Sequence, residues 1–114
     1  MTRYLISFDE GAMTHSEDDH QDVADAAHAV VREAQDAGVW VFGGGLLSHE
    51  EMSVVATDGT VDGAPDGKAA FVGGMSIIDV PSREAALEWT ARIAAACRCP
   101  QEMREFNPDP AVGN

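Results

Sequence analysis

The stretch from Gly73-Gly74 through Met75-Ser76-Ile77-Ile78-Asp79-Val80, Pro81-Ser82 and on to Trp89 constrains the fold more than any other part of the chain. Met75 to Val80 is short and mostly apolar, bounded by a glycine pair and a proline, and reads as a central strand. Pro81 stops it, and the Ser82 hydroxyl can cap the helix that follows. Ala86, Trp89, Ile93 and Ala96 then recur on one helical face. Strand, stop and amphipathic helix make half of a small α+β unit.

The same logic applies upstream. Tyr4, Ile6 and Phe8 alternate with Leu5 and Ser7, which predicts a strand with one apolar face. Ser16, with Asp19 three residues on, forms an approximate capping box. Glu17, Asp18 and Asp19 place negative charge at the positive end of the helix dipole. Val23, Ala26, Ala27, Val30, Val31 and Ala34 trace an apolar stripe of small residues to about Ala37, and Gly38 suits the position just past a helix end. Val39 to Phe42 reads as a second strand, apolar on both faces, that runs into Gly43-Gly44-Gly45. Three glycines in a strand predict a bulge or the close approach of a ligand or a neighbouring backbone. They do not form a G-x-G-x-x-G opening a helix, so no dinucleotide fingerprint is present. Met52 to Ala56 reads as a third strand, turning at Asp58-Gly59 and starting back at Thr60-Val61. Asp62 to Lys68 is a polar loop, and Gln101 to Phe106 a last strand after Pro100.

The order βαβββαβ predicts an α+β ferredoxin-like sandwich with both helices on one face of an antiparallel sheet. The other face, carrying apolar side chains, is expected to pair with a second copy, giving a homodimer of the dimeric α/β barrel type. Residues 1–106 are expected to form one domain and residues 107–114 a loose tail.

Twenty acidic against seven basic residues give a net charge of −13 over 114 residues. Such a surface repels phosphate backbones, so no nucleic-acid partner is expected. No apolar run reaches about 18 residues, which argues against a membrane span. The N-terminus enters a strand-like run with no long apolar leader, which points to a cytoplasmic protein. Cys97-Arg98-Cys99 has one-residue spacing and reads as two reduced structural thiols. No cofactor is implied.

The opening Arg3-Tyr4-Leu5-Ile6, Ala37-Gly38-Val39 through Gly43-Gly44-Gly45-Leu46, Asp62-Gly63, Gly73-Gly74, Ile77 to Val80, and Ala86 to Ile93 resemble the YCII-related proteins, DGPF-type subgroup. The resemblance spans about Arg3 to Phe106. The subgroup's Asp-Gly-Pro-Phe becomes Asp62-Gly63-Ala64-Pro65 here, and the polar stretch after it becomes Asp66-Gly67-Lys68-Ala69-Ala70. Members often carry a helix histidine eleven residues before the terminating glycine. That position is Ala27, with His28 beside it; the aspartate two residues before the glycine is shared, as Asp36. The resemblance implies a ferredoxin-like dimer with a cleft between sheet and helices, and a histidine–aspartate pair as acid–base machinery. It also implies, by gene association, an accessory role beside sigma factors.

Four histidines are available: His15, His20, His28 and His49. Each can act as a base near neutrality. On a helical projection His20 lies at the edge of the apolar stripe and His28 on the flank away from the sheet, beside Asp25 and Arg32. His49-Glu50-Glu51 reads as a hairpin corner. His15 and His20 with Glu17, Asp18, Asp19 and Asp22 have metal-ligand chemistry, but a capped helix start accounts for the acids, and no metal is assigned. The candidate catalytic residues are His20 or His28, with Asp36 or Asp9 assisting. Gly43, Gly44, Gly45, Trp40 and Met75 are the candidate substrate-binding residues. The expected activity is a cofactor-free lyase or isomerase acting by proton abstraction on a small, partly apolar molecule. The alternatives are a non-catalytic dimeric ligand-binding or accessory protein, and a cofactor-free monooxygenase-like enzyme.

Overall fold

Alternation along the first residues becomes β1, Thr2–Asp9, with Tyr4 and Ile6 buried and their neighbours half-buried. The computed structural model describes residues 1–114. Next come α1 (His20–Asp36), β2 (Trp40–Gly45), β3 (Val54–Val55), β4 (Val61–Asp62), β5 (Val72–Val80), α2 (Arg83–Cys97) and β6 (Glu102–Glu105). The fold is α+β, with two helices and a four-stranded sheet in the order β2-β5-β1-β6. Every pair in that sheet is antiparallel, and the arrangement is compatible with a ferredoxin-like sandwich.

The sheet interleaves two β-α-β halves. β1 and β2 belong to the first half and β5 and β6 to the second, and every pairing in the sheet joins one half to the other. Tyr4 opposes Ile78 and Ile6 opposes Ser76 across β1 and β5, with irregularities at Phe8/Asp9 and between Trp40 and Phe42. Tyr4, Ile6, Ile78 and Val80 point to the helix side and meet Ala34, Val39, Ala86 and Ile93 in one core. Glu33 and Arg92 pair across the two helices, and Arg98 reaches Asp19 at 3.0 Å. The other sheet face carries Leu5, Ile77 and Phe42, the last 65% exposed.

The expected third strand is corrected. Met52 to Ala56 does not join the main sheet; only Val54–Val55 is extended, and it pairs with Val61–Asp62 in a separate two-stranded hairpin. β5 has β1 on one edge and β2 on the other, so no position beside it remains, and the hairpin adds to neither free edge of the sheet, at β2 or at β6. The hairpin closes on itself, with Gly59 at φ +89° and the Thr60 N–H donating to Asp58 Oδ1 at 2.9 Å.

The start of α1 also departs from expectation. Glu17–Asp19 form a separate 3-10 turn, the helix begins at His20, and neither Ser16 nor Asp19 makes a side-chain cap hydrogen bond. Its end behaves as the glycine predicts. Gly38 adopts φ +74°, its N–H donates to Gln35 O at 3.0 Å, and the Val39 N–H donates to Ala34 O at 3.0 Å. This is a Schellman closure, with buried Val39 and Ala34 as its apolar pair. In α2, Ser82 Oγ accepts from the Ala85 N–H at 3.1 Å. That helix ends at Arg98 in the left-handed region, two residues before Pro100. No helix is long and apolar enough to cross a membrane.

Candidate ligand cleft

A cavity of about 460 Å³ lies between the helices and the sheet. Its sheet wall is built from Trp40, the Gly43–Gly45 run, Met75, Ser76 and Phe8. Its helix walls come from Ala27, His28, Val30, Val31 and Gln35 of α1, and Ile93, Ala96 and Cys97 of α2. Met13 and Gln101 complete it. All five residues expected to contact a ligand, Trp40, Gly43, Gly44, Gly45 and Met75, therefore line one space.

The glycines make that space. A Cβ at Gly43 would sit 2.7 Å from both the Met75 carbonyl oxygen and the Trp40 ring. The outer edge of the indole thus occupies the space beside Gly43 that a Cβ would need. Gly74 does the same for Phe8, whose ring atoms would come within 2.7 Å of an added Cβ. Two aromatic rings are held over two glycines on neighbouring strands, and both border the cleft.

The expected catalytic residues separate. His28 is exposed but lines the cleft. It sits on the helix flank where the projection puts it, and the cavity runs along that flank, across the arc from Val30 through Ala27 and Val31 to His28, rather than under the centre of the stripe. His20 lies outside the lining. Its Nδ1 is 3.1 Å from His15 Nε2, and the two rings stack at 5.3 Å. Asp36 is the exposed last residue of α1, and Asp9 ends β1; neither borders the cavity. No histidine–aspartate pair forms on α1, and no carboxylate lines the cleft. No group of three His, Cys, Asp or Glu side chains is arranged to hold a metal ion.

The remaining titratable group on the lining is Cys97. Burial, and then the neighbouring Cys99, push its thiol above the ordinary range, so it stays protonated and apolar in character. The cleft interior therefore presents aromatic, aliphatic, thioether and amide groups, a neutral thiol, the Ser76 hydroxyl and one imidazole.

The sequence reading missed a second constellation. His49 sits in a 3-10 turn, His49–Glu51, just past β2. Its Nδ1 lies 2.7 Å from Glu10 Oε1, and its backbone N–H donates to Glu10 Oε2 at 2.9 Å. The imidazole stacks on Phe71 at 4.6 Å and 13°. Hydrogen bonds from the His49 ring and then its backbone N–H hold the Glu10 carboxyl below its ordinary value. Thirty-nine residues separate the pair, and both members lie on irregular segments, so no periodicity could have joined them. No protein-family model matches the chain, and no curated protein is significantly similar to it.

Proposed function

We propose that the chain is a YCII-like protein that binds a small, mostly apolar, uncharged molecule in the cleft between its helices and sheet. The cavity composition carries this reading. In a chain of net charge −13, the lining contains no carboxylate, lysine or arginine. A cation would find no counter-charge there and an anion no guanidinium, whereas a flat aromatic or lactone-like ring would meet Trp40, Phe8 and the open Gly44–Gly45 backbone. His28, Gln35 and Gln101 supply polar contacts for one or two hydrogen-bonding groups on such a molecule.

The open sheet face supports a second part of the proposal, a homodimer. Leu5, Ile77 and Phe42 lie beside one another on that face, as β1–β5 and β2–β5 register requires. A second copy would remove them from water and close the two sheets into a dimeric α/β barrel.

The binding experiment uses a Trp89→Phe protein, in which Trp40 is the remaining tryptophan. Titration with neutral aromatic probes such as 1-naphthol is expected to give saturable quenching. Val31→Trp, which fills the cavity wall, is expected to abolish saturation in a competition assay. Quenching that stays linear with every neutral probe, or saturation that survives the filled cavity, overturns the reading.

A further inference from the structure

We infer that His49 and Glu10 form a proton-accepting site at the end of the cleft, with His49 Nε2 the acceptor and Glu10 its positioning residue, acting on a small carbon acid. The inference rests on the cleft reading above and gives it a chemistry different from that of an α1 histidine.

The tautomer follows from the contacts. An ionised carboxylate only accepts hydrogen bonds, so the 2.7 Å contact requires the proton on Nδ1 of His49. Nε2 of the neutral ring then carries a free lone pair. When Nε2 takes a proton, the resulting imidazolium remains paired with Glu10, which stabilises it.

The pair is fixed from several sides. The Glu10 N–H donates to Phe71 O at 2.7 Å. A Cβ at Gly73 would lie 3.0 Å from both Glu10 Cα and N, so the missing side chain lets the two backbones meet. Phe71 holds the imidazole plane by stacking. The Lys68 ammonium, from the chain's one lysine, lies 5.3 Å from the centre of the Phe71 ring, a cation–π contact that helps to hold that ring. Both members of the pair are about one-third exposed, so a small molecule can reach them. Glu50 and Glu51 of the same 3-10 turn are the other charged groups beside His49.

Neither member of the pair lines the cavity itself; chain position sets the pair just beyond its sheet wall. Glu10 lies two residues beyond Phe8, and His49 four beyond Gly45, and Phe8 and Gly45 are both cleft residues. β1, β2 and the start of β5 thus bring the pair to the same end of the sheet as the glycine run.

The probe is 5-nitrobenzisoxazole, a neutral aromatic carbon acid. His49 Nε2 takes the proton from C3, the C3–H electron pair becomes the third C–N bond, and the N–O bond breaks to leave a phenolate. Water then removes the proton from Nε2 and restores the base. Wild-type protein is expected to accelerate phenolate release. His49→Asn is expected to reduce the rate about a hundredfold. Glu10→Gln is expected to reduce it less, with partial recovery in Glu10→Asp, while His20→Asn, outside both sites, leaves it unchanged. Nitrogen-15 NMR of the imidazoles supplies the readout that a loop staple alone would not move: His49 is expected to hold its proton on Nδ1 in the wild type and to lose that preference in Glu10→Gln. Saturable binding of the probe without turnover, or turnover unaffected by His49→Asn, overturns the proton-transfer assignment and leaves the cleft reading standing. Absence of binding overturns the cleft reading. A proton resident on Nε2 of wild-type His49 overturns the assignment on its own.

Discussion

Gly43 and Gly74 show how a missing side chain shapes a cavity. An added methyl at Gly43 meets the Met75 carbonyl as well as the indole, and a carbonyl in a paired strand cannot swing aside. At Gly74 the nearest atoms are the far edge of the Phe8 ring, which can tilt. Gly43→Ala is therefore expected to cost about 2–3 kcal/mol and Gly74→Ala about 1 kcal/mol, measured by urea unfolding. A reversed order would show that the strands yield more readily than the ring. Glu10 gives a pH prediction. Its carboxyl is held below the ordinary value of 4.5, so as pH falls the unfolded chain takes up this proton before the folded one. The stability it adds is complete above the unfolded value and is lost as pH drops through the depressed folded value. His49→Ala removes both the ring donor and the stacking, and thermal unfolding is expected to show a shallower loss of stability over that acid interval. At this scale the sequence announced Trp40 and the glycines, because a glycine run in a strand has few uses. It could not announce Glu10 or His49, because their meeting depends on where two irregular loops come to rest.

The elements differ in how much of their ending is written locally. α1 closes on Gly38, whose positive φ penalises any Cβ, and α2 opens on Ser82, whose hydroxyl satisfies a free N–H. Gly38→Ala and Ser82→Ala are each expected to lower stability by about 1 kcal/mol. The two losses should add in the double variant, since the sites share no partner. Both signals were legible because each acts within four residues. The capping box at Ser16 looked equally good and is not used; a 3-10 turn takes up those residues and the helix starts later. The β3–β4 hairpin shows a different limit. Its turn was readable from Asp58-Gly59, but not that β3 and β4 would pair only with each other and leave the β2 and β6 edges of the main sheet open. Alternation identifies a strand without saying which sheet it joins.

The whole molecule is thin. Its principal extents are 45 × 42 × 19 Å, and its radius of gyration is 15.8 Å, against about 13 Å for a compact domain of about 100 residues. Only 12 of 114 residues are buried, which is a small core for the length and is consistent with one sheet face left uncovered. Phe42→Glu places a charge on that face, at its β2 edge beside Ile77, without touching the helix-side core. Sedimentation is expected to show two copies for the wild type and one for the variant; a wild type that sediments as one copy at micromolar concentration removes the dimer proposal.

Lys68 is exposed, and it lies in the loop between β4 and β5. A protease specific for lysine thus has a single peptide bond to cut, and the cut falls between the two β-α-β halves. Because each strand of the main sheet finds its neighbours only across that division, neither fragment can assemble any part of that sheet from its own strands, and fragment 1–68 keeps only the short β3–β4 hairpin. The nicked chain should therefore migrate as one particle under native conditions and as two in denaturant. Separately produced fragments 1–68 and 69–114 should lack the four-stranded sheet until mixed, which makes the protein a natural scaffold for a split reporter.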